Sequence, residues 1–309
     1  MAAYFLKRLA GAVPVFLAIM TAAFFMARFV PGGPFDRERP VSAETLKALN
    51  AYYGLDEPLA VQYLKYLGNL ARGDLGPSYK YPGWSVNEII AQKAAVSLQL
   101  GAAALSIALA AGLLLGFGAA AFAGTKFGAA LSGMSLAGIC LPAFVLGPIL
   151  ALIFSIKLRW FNAMGWNSLP SDAVLPAITL ALFYAAWIAR LARRSAIEEK
   201  SRPYVVAARA KGASAMRIYF AHILRNAIGP VVSYIGPAAA GLLTGSFVVE
   251  TIFQIPGLGR FFISSALDND YTMIMGCVMV YAAFIIAFNL LADMLLAAIN
   301  PRVARQLGK

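Results

Sequence analysis

Six long apolar stretches carry no Asp, Glu, Lys or Arg: 9–27, 94–125, 127–156, 173–189, 226–249 and 271–292. A helix needs about 20 apolar residues to cross a bilayer, with a range of roughly 17–25, and every stretch meets that. The two longest hold a span and part of a loop, divided by Lys126 within Gly124-Thr125-Lys126-Phe127-Gly128, which reads as a tight turn. The ten-residue alternating segments of a membrane β-barrel are absent. The first stretch follows Lys7 and Arg8 but exceeds the roughly 7–15 residues of a signal-peptide core, so it reads as a retained helix. The pattern predicts an all-α membrane protein with six transmembrane helices, residues 1–309 forming a single transmembrane domain.

Two polar segments separate these stretches. The first, 31–93, opens with Pro31-Gly32-Gly33-Pro34, which breaks the first helix. Ser42 is placed to cap a short helix over 42–53, and Asp56 to cap a second with Pro58 in its first turn. Leu59, Tyr63, Tyr66, Leu67 and Leu70 would give that second helix one apolar face, for the membrane surface, the helix bundle or an external partner. Gly73 to Ser78 reads as a turn cluster. In the second segment, 190–229, Ser201 could cap a helix with Pro203 in its first turn, running from Tyr204 to Lys211. Gly212 would reverse the chain into a second helix over Ser214–Ala227. Anchored at both ends, this basic elbow suits a socket on a cytoplasmic protein better than nucleic acid.

Composition agrees: 61% of residues are hydrophobic and 13% charged, about half the charge of a soluble domain. The net charge of +12 is placed by the positive-inside rule. With the N-terminus in the cytoplasm, the inner segments collect more than half of the 26 Lys and Arg, among them Lys7, Arg8, Lys126, Arg190, Arg193, Arg194, Lys200, Arg209, Lys211 and Arg302. Both termini are therefore expected inside, with 31–93 outside and 190–229 inside. Cys140 and Cys277 each lie in an apolar run, so neither a disulfide framework nor a thiolate metal site is expected.

Catalytic signatures are missing. There is no phosphate loop, no His-Glu-x-x-His and one histidine, His222. No catalytic or metal-binding residue is assigned. Asp293 lies near the inner end of the last span and Glu250 ends the fifth; both read first as structural. Gly112-x-x-x-Gly116 and Gly241-x-x-x-Gly245 permit close helix approach. Pro142, Pro148, Pro176 and Pro237 interrupt spans, as in helices that line translocation paths. Among the few polar side chains at span depth, Gln99, Tyr184, Tyr234, Thr244 and Asn289 are candidates for such a path.

The elbow resembles the conserved cytoplasmic loop of permease subunits of ABC importers. Ala207, Ala208 and Gly212 match its Glu-Ala-Ala…Gly pattern, with Val206 at the Glu position. Ala208-Arg209-Ala210-Lys211-Gly212 resembles the peptide/nickel branch's version, with Tyr204 before it and His222, Arg225 and Asn226 after it. Downstream, Leu224 is kept while His222 and Arg225 depart from the usual Ile and Pro. Glu250-Thr251-Ile252-Phe253 and Pro256-Gly257-Leu258-Gly259 look like that branch's outer gate. Asp270-Tyr271, Asn289, Asp293 and Asn300-Pro301-Arg302 resemble its last helix. Gly73 to Tyr81 with Ser85-Val86-Asn87 looks most like the B-type subunits of oligopeptide importers.

The resemblance implies a type I ABC importer permease fold in the bacterial inner membrane, forming half of a peptide pore. It implies a sister permease, two cytoplasmic ATPase subunits holding ATP and Mg, and a periplasmic peptide-binding protein. This chain would bind no cofactor itself. Tyr204, Ala207, Ala208, Arg209, Ala210, Lys211, Gly212 and His222 would couple to the ATPase, and Glu250, Phe253, Pro256, Gly257 and Gly259 would form the outer gate. Dipeptide, nickel, haem and glutathione permeases of the same branch remain alternatives. An ion-driven secondary transporter would want buried ionisable groups or internal repeats, and an intramembrane enzyme a catalytic set; neither is clear in the sequence.

Overall fold

The computed structural model describes residues 2–29, 35, 42–167, 170–244 and 246–299. The breaker Pro31–Pro34, Gly245 and the terminal Asn300-Pro301-Arg302 lie outside them, as does the side chain of Thr244. The described residues are helical, apart from turns and a single antiparallel bridge between Pro77 and Ser85.

In chain order the helices are α1 (Ala2–Phe29), α2 (Ala43–Tyr52), α3 (Leu59–Ala71), α4 (Val86–Ala121), α5 (Lys126–Cys140) and α6 (Ala143–Leu150). A wider π-helical segment, Ala151–Lys157, prolongs α6. Then come α7 (Ser171–Lys200), α8 (Pro203–Ala210), α9 (Ala215–Arg217), a second π segment (Ile218–Leu224) and α10 (Arg225–Ala227). The chain continues through α11 (Gly229–Thr244), α12 (Phe247–Ile252), α13 (Leu258–Leu267) and α14 (Tyr271–Ile299).

Five helical stretches are long and apolar enough to cross a membrane: Arg8–Phe29, Val86–Ala121, Ser171–Lys200, Gly229–Ile252 and Tyr271–Leu295. A bent pair, Lys126–Cys140 and Ala143–Lys157, turns by 105° at Leu141-Pro142 and makes a sixth candidate span when the two are counted as one. Leu141 precedes proline and is extended, as the steric clash with the proline ring demands. The 36 residues of α4 span about 54 Å, well beyond a bilayer core of about 30 Å.

The described residues group into two compact units. In the first (1–9, 98–255 and 284–309), α7 is the hub, packed against α5, α6, α11 and α12. Glycines make these approaches possible. A Cβ on Gly116 of α4 would sit 2.3 Å from the Ala189 carbonyl oxygen of α7, and one on Gly138 of α5 would sit 2.6 Å from that of Leu182. Arg8 and Asp293 form an ion pair at 2.7 Å, giving the acid of the last span a structural partner.

In the second unit (10–97 and 256–283), Phe24 of α1 stacks on Tyr66 and tilts against Tyr63 of α3, with centroids 5.6 and 5.3 Å apart. Two members of the expected apolar face of α3, Tyr63 and Tyr66, are thus laid on the first helix, whereas Leu59 is 44% exposed. Ser42 caps α2 by accepting the Thr45 N–H at 3.2 Å. Asp56 does not cap α3: the chain enters that helix through Pro58, whose fixed φ needs no side-chain acceptor. The Asp270 carboxylate opens α14. It accepts Ser78 Oγ (2.5 Å), Thr272 Oγ1 (2.9 Å) and the N–H groups of Tyr79, Lys80 and Met273 (3.2–3.3 Å).

Candidate functional site

The elbow is built from both ends. α7 continues to Lys200, so Ser201 ends that helix and does not begin the next; its hydroxyl donates to the Glu198 carbonyl at 2.8 Å. Arg202 is extended and Pro203 opens α8. The helix stops because Gly212 takes φ +80°. The Gly212 N–H then reaches the Arg209 carbonyl (3.0 Å) and the Ala213 N–H that of Ala208 (3.2 Å), a paired closure that a left-handed residue permits. Ser214 caps the returning arm by accepting the Arg217 N–H at 3.3 Å. That arm is one continuous helical rod over 215–227, but its middle is a wider π turn that no residue pattern foretells.

Tyr204 pins the two arms together. Its hydroxyl donates to the Glu199 carboxylate at the end of α7, accepts Asn226 Nδ2 at 3.0 Å and lies 3.4 Å from the His222 carbonyl. Burial, followed by the bond to Glu199, raises the Tyr204 pKa. His222 therefore contributes through its backbone. The returning arm is also fixed to α4: Tyr219 donates to the Phe117 carbonyl at 2.5 Å, and Lys200 donates to that of Ala120 while lying over the Tyr219 ring. Burial pushes the Tyr219 phenol up to about 12.

The elbow is thus anchored inside and open outside. Val205, Ile218 and Ile223 are buried, whereas Ala207, Arg209, Ala210, Lys211 and Gly212 are exposed, with Ala208 half-buried. Val206, Met216 and Phe220 are 61–71% exposed. Val206 lies on the arm before the turn and Met216 and Phe220 on the arm after it, where they line a cavity with Leu113, Leu114 and Phe117 of α4.

The span candidates distribute unevenly. Tyr184 lines a cavity of about 290 Å³ at the broken span, with Leu141, Pro142, Thr179, Phe183 and Gly241. A Cβ at Gly241 would come 2.3 Å from the Tyr184 hydroxyl, so Gly241 makes room for it. The sequence flagged Pro142 as an interruption but gave no sign that Tyr184 would stand beside it. Tyr234 lines a separate cavity of about 730 Å³ with Ser132, Trp187 and Arg190. Gln99 is exposed on α4, outside both cavities, and Asn289 is half-buried on α14.

The gate candidates fall in both compact units. In the first, Glu250 and Phe253 are buried; Ser246 Oγ donates to Glu250 at 2.6 Å, and the Phe253 carbonyl accepts the Gly165 N–H at 3.0 Å. Gln254 takes φ +52°, and the Ile255 N–H closes back on the Glu250 carbonyl at 2.8 Å. In the second, Gly257 and Gly259 are buried, Pro256 is half-buried, and the Leu258 N–H donates to Ser97 Oγ at 2.8 Å. Among the described residues, no three His, Cys, Asp or Glu side chains come together as a metal site.

The chain is similar to known proteins along most of its length. Residues 112–305 match the family described as binding-protein-dependent transport system inner membrane component, and residues 1–80 match the N-terminal region of such components. The oligopeptide transport system permease protein OppB of Escherichia coli (strain K12) is 40% identical over 97% of this chain and 98% of its own. OppB of Haemophilus influenzae has the same identity and coverage. The dipeptide transport system permease protein DppB of Bacillus subtilis (strain 168) is 39% identical over 98% of each chain. Among solved structures, inward-facing conformations of the MetNI methionine ABC transporter share the fold. One has a TM-score of 0.59 and 16% identity over 69% of this chain and 96% of that one.

Proposed function

Because the chain belongs to the family of binding-protein-dependent transport system inner membrane components, and so is an inner-membrane permease subunit of an ABC importer, we propose that its substrate class is oligopeptides. The 40% identity to OppB over almost the full length supports that reading. The relative DppB, 39% identical, keeps dipeptides as the second reading.

In the proposed complex this chain supplies half of the pore and a sister permease the other half. Two cytoplasmic ATPase subunits hold ATP and Mg and perform the hydrolysis, and a periplasmic binding protein delivers the peptide. The observation that carries the coupling role is the exposed Arg209–Gly212 turn, locked from behind by Tyr204. A socket on an ATPase can grip such a turn through its shape and through Val206, Met216 and Phe220. Closure of the ATPase pair then moves the elbow as a rigid body, and the anchors at Glu199, Phe117 and Ala120 pass the motion to α7 and α4.

The test is a mild-detergent purification of the tagged chain from its native membrane, followed by mass spectrometry. Recovery of a second permease and two ATPases is the expected result. Recovery of the chain alone, under conditions that keep a known importer whole, would return the choice to an ion-driven transporter. Uptake of labelled pentapeptide against labelled dipeptide by the reconstituted complex separates the two substrate readings.

A further inference from the structure

A further cavity with chemistry of its own lies wholly within the compact unit formed by residues 10–97 and 256–283. It holds about 540 Å³, within the range of small-molecule sites. Its walls are aromatic: Phe24, Tyr52, Tyr53, Tyr66 and Tyr79. They are braced by one another, with Tyr53 and Tyr79 4.8 Å apart and Phe24 stacked on Tyr66.

The polar lining is balanced in charge, with Arg28 and Lys65 against Glu57 and Asp74. Three buried polar atoms at this cavity have no hydrogen-bond partner: Nε of Arg28, Oε2 of Glu57 and Oε1 of Gln62. Their neighbours are already committed. Gln62 Nε2 donates to the carbonyls of Leu55 (3.0 Å) and Glu57 (2.7 Å), which fixes Oε1 as the free end, and Glu57 Oε1 pairs with Lys65 at 2.5 Å. Buried groups left open in this way call for an explanation, since each costs free energy unless something pairs with it.

The two open acceptors ask for N–H donors and the open donor asks for an acceptor. Aromatic walls suit a cation, but Arg28 already lies over the Phe24 ring, 5.6 Å from its centroid, and disfavours a ligand of net positive charge. We propose that this cavity binds a small zwitterion through its α-ammonium group, which Glu57 and Gln62 receive while the guanidinium of Arg28 takes a carbonyl or carboxylate oxygen. A free amino acid and the amino-terminal end of a short peptide share that chemistry. The peptide case rests on the peptide-importer reading; the amino-acid case does not.

The test uses the assembled transporter in lipid nanodiscs without any binding protein. Equilibrium binding is measured for radiolabelled trialanine, N-acetyl-trialanine, trialanine amide and L-alanine. Saturable trialanine binding is expected, weakened about tenfold or more by N-acetylation and less by amidation. Glu57→Gln, which keeps the side-chain shape, should weaken trialanine binding to a similar degree, and Gln62→Leu should do the same. Because Gln62 also ties down two carbonyls, Glu57→Gln is the deciding variant should Gln62→Leu fold poorly. L-alanine binding as well as trialanine assigns the site to amino acids; trialanine alone assigns it to peptide termini. Absent binding, or binding indifferent to N-acetylation and to Glu57→Gln, overturns the proposal. Peptide uptake by the same complex is scored separately: uptake without this binding removes the site and leaves the importer reading standing. Alanine binding without peptide uptake does the reverse.

Discussion

Ser78 Oγ donates to the Asp270 carboxylate across 2.5 Å, joining two residues 192 positions apart in sequence. Both are about 1% exposed. Three backbone N–H groups also donate to the carboxylate, and Thr272 Oγ1 divides its one proton between it (2.9 Å) and the Pro77 carbonyl (2.7 Å). A buried charge is tolerable when it is bonded this fully, and its removal leaves several donors unpaired. Asp270→Ala strands several buried neutral donors and should cost about 3 kcal/mol or more, and Ser78→Ala about 1–3 kcal/mol. Thermal unfolding in detergent reads the difference, and limited proteolysis over 72–85 should become faster in the Asp270 variant first. Equal stability of Asp270→Ala and the parent chain would refute this account.

Gly212 separates backbone strain from crowding. A Cβ there would meet no atom within 4 Å, yet φ is +80°. Gly212→Ala therefore pays only for the left-handed backbone, about 1–2 kcal/mol, and the elbow should keep its shape. Gly212→Val adds a branched side chain where such residues are true outliers, and should distort the turn. With the purified complex, Gly212→Val should retain basal ATP hydrolysis while peptide uptake per ATP falls several-fold. Unchanged uptake would remove the turn from the coupling path.

A matched pair of glycines tests helix approach. Gly116→Ala places a Cβ 2.3 Å from the Ala189 carbonyl oxygen and 2.8 Å from its Cα, so α4 and α7 must separate. Overpacking of this kind costs about 1–3 kcal/mol. Gly133→Ala on α5 meets nothing within 4 Å and should gain up to about 1 kcal/mol from helix propensity. Melting temperatures moving in opposite directions are the expected outcome.

Tyr219 gives the elbow an alkaline limit. Burial raises its phenol from the ordinary 10 to about 12, so the folded form holds the proton longer than the unfolded one. Its contribution to stability is complete below pH 10 and is lost as the pH climbs toward 12. Difference absorbance at 295 nm between the parent chain and Tyr219→Phe should show one tyrosine ionising well above pH 10. The Phe variant should also lose the bond to the Phe117 carbonyl and with it part of the parent's alkaline transition.

The spans were legible because their signal is local: an uncharged run of sufficient length. Even so, α4 begins at Val86, eight residues before its apolar run, because Asn87, Glu88, Gln92 and Lys93 are good surface residues on a helix that outreaches the bilayer core. Gly212 was legible from its place after a helical stretch, and Ser42 from its cap chemistry. Asp56 and Ser201 carry the same cap chemistry and fail because proline, two residues on in each case, sets the entry to the helix. The Asp270 clasp was hidden for a different reason. Its position before α14 suggests a cap, but nothing local announces a partner at Ser78. Tyr204 reads from sequence as one elbow residue among several, whereas its hydroxyl ties together three segments.

The 105° break at Leu141-Pro142 has an electrical consequence. There α5 presents its carbonyl end and α6 its amide end, so the partial negative and positive poles of two peptide dipole arrays meet near Tyr184 without an ionised side chain. Peptide amides, whatever side chains flank them, carry the same two polarities. A peptide amide brought to this break would meet a counterpart to each of its own poles.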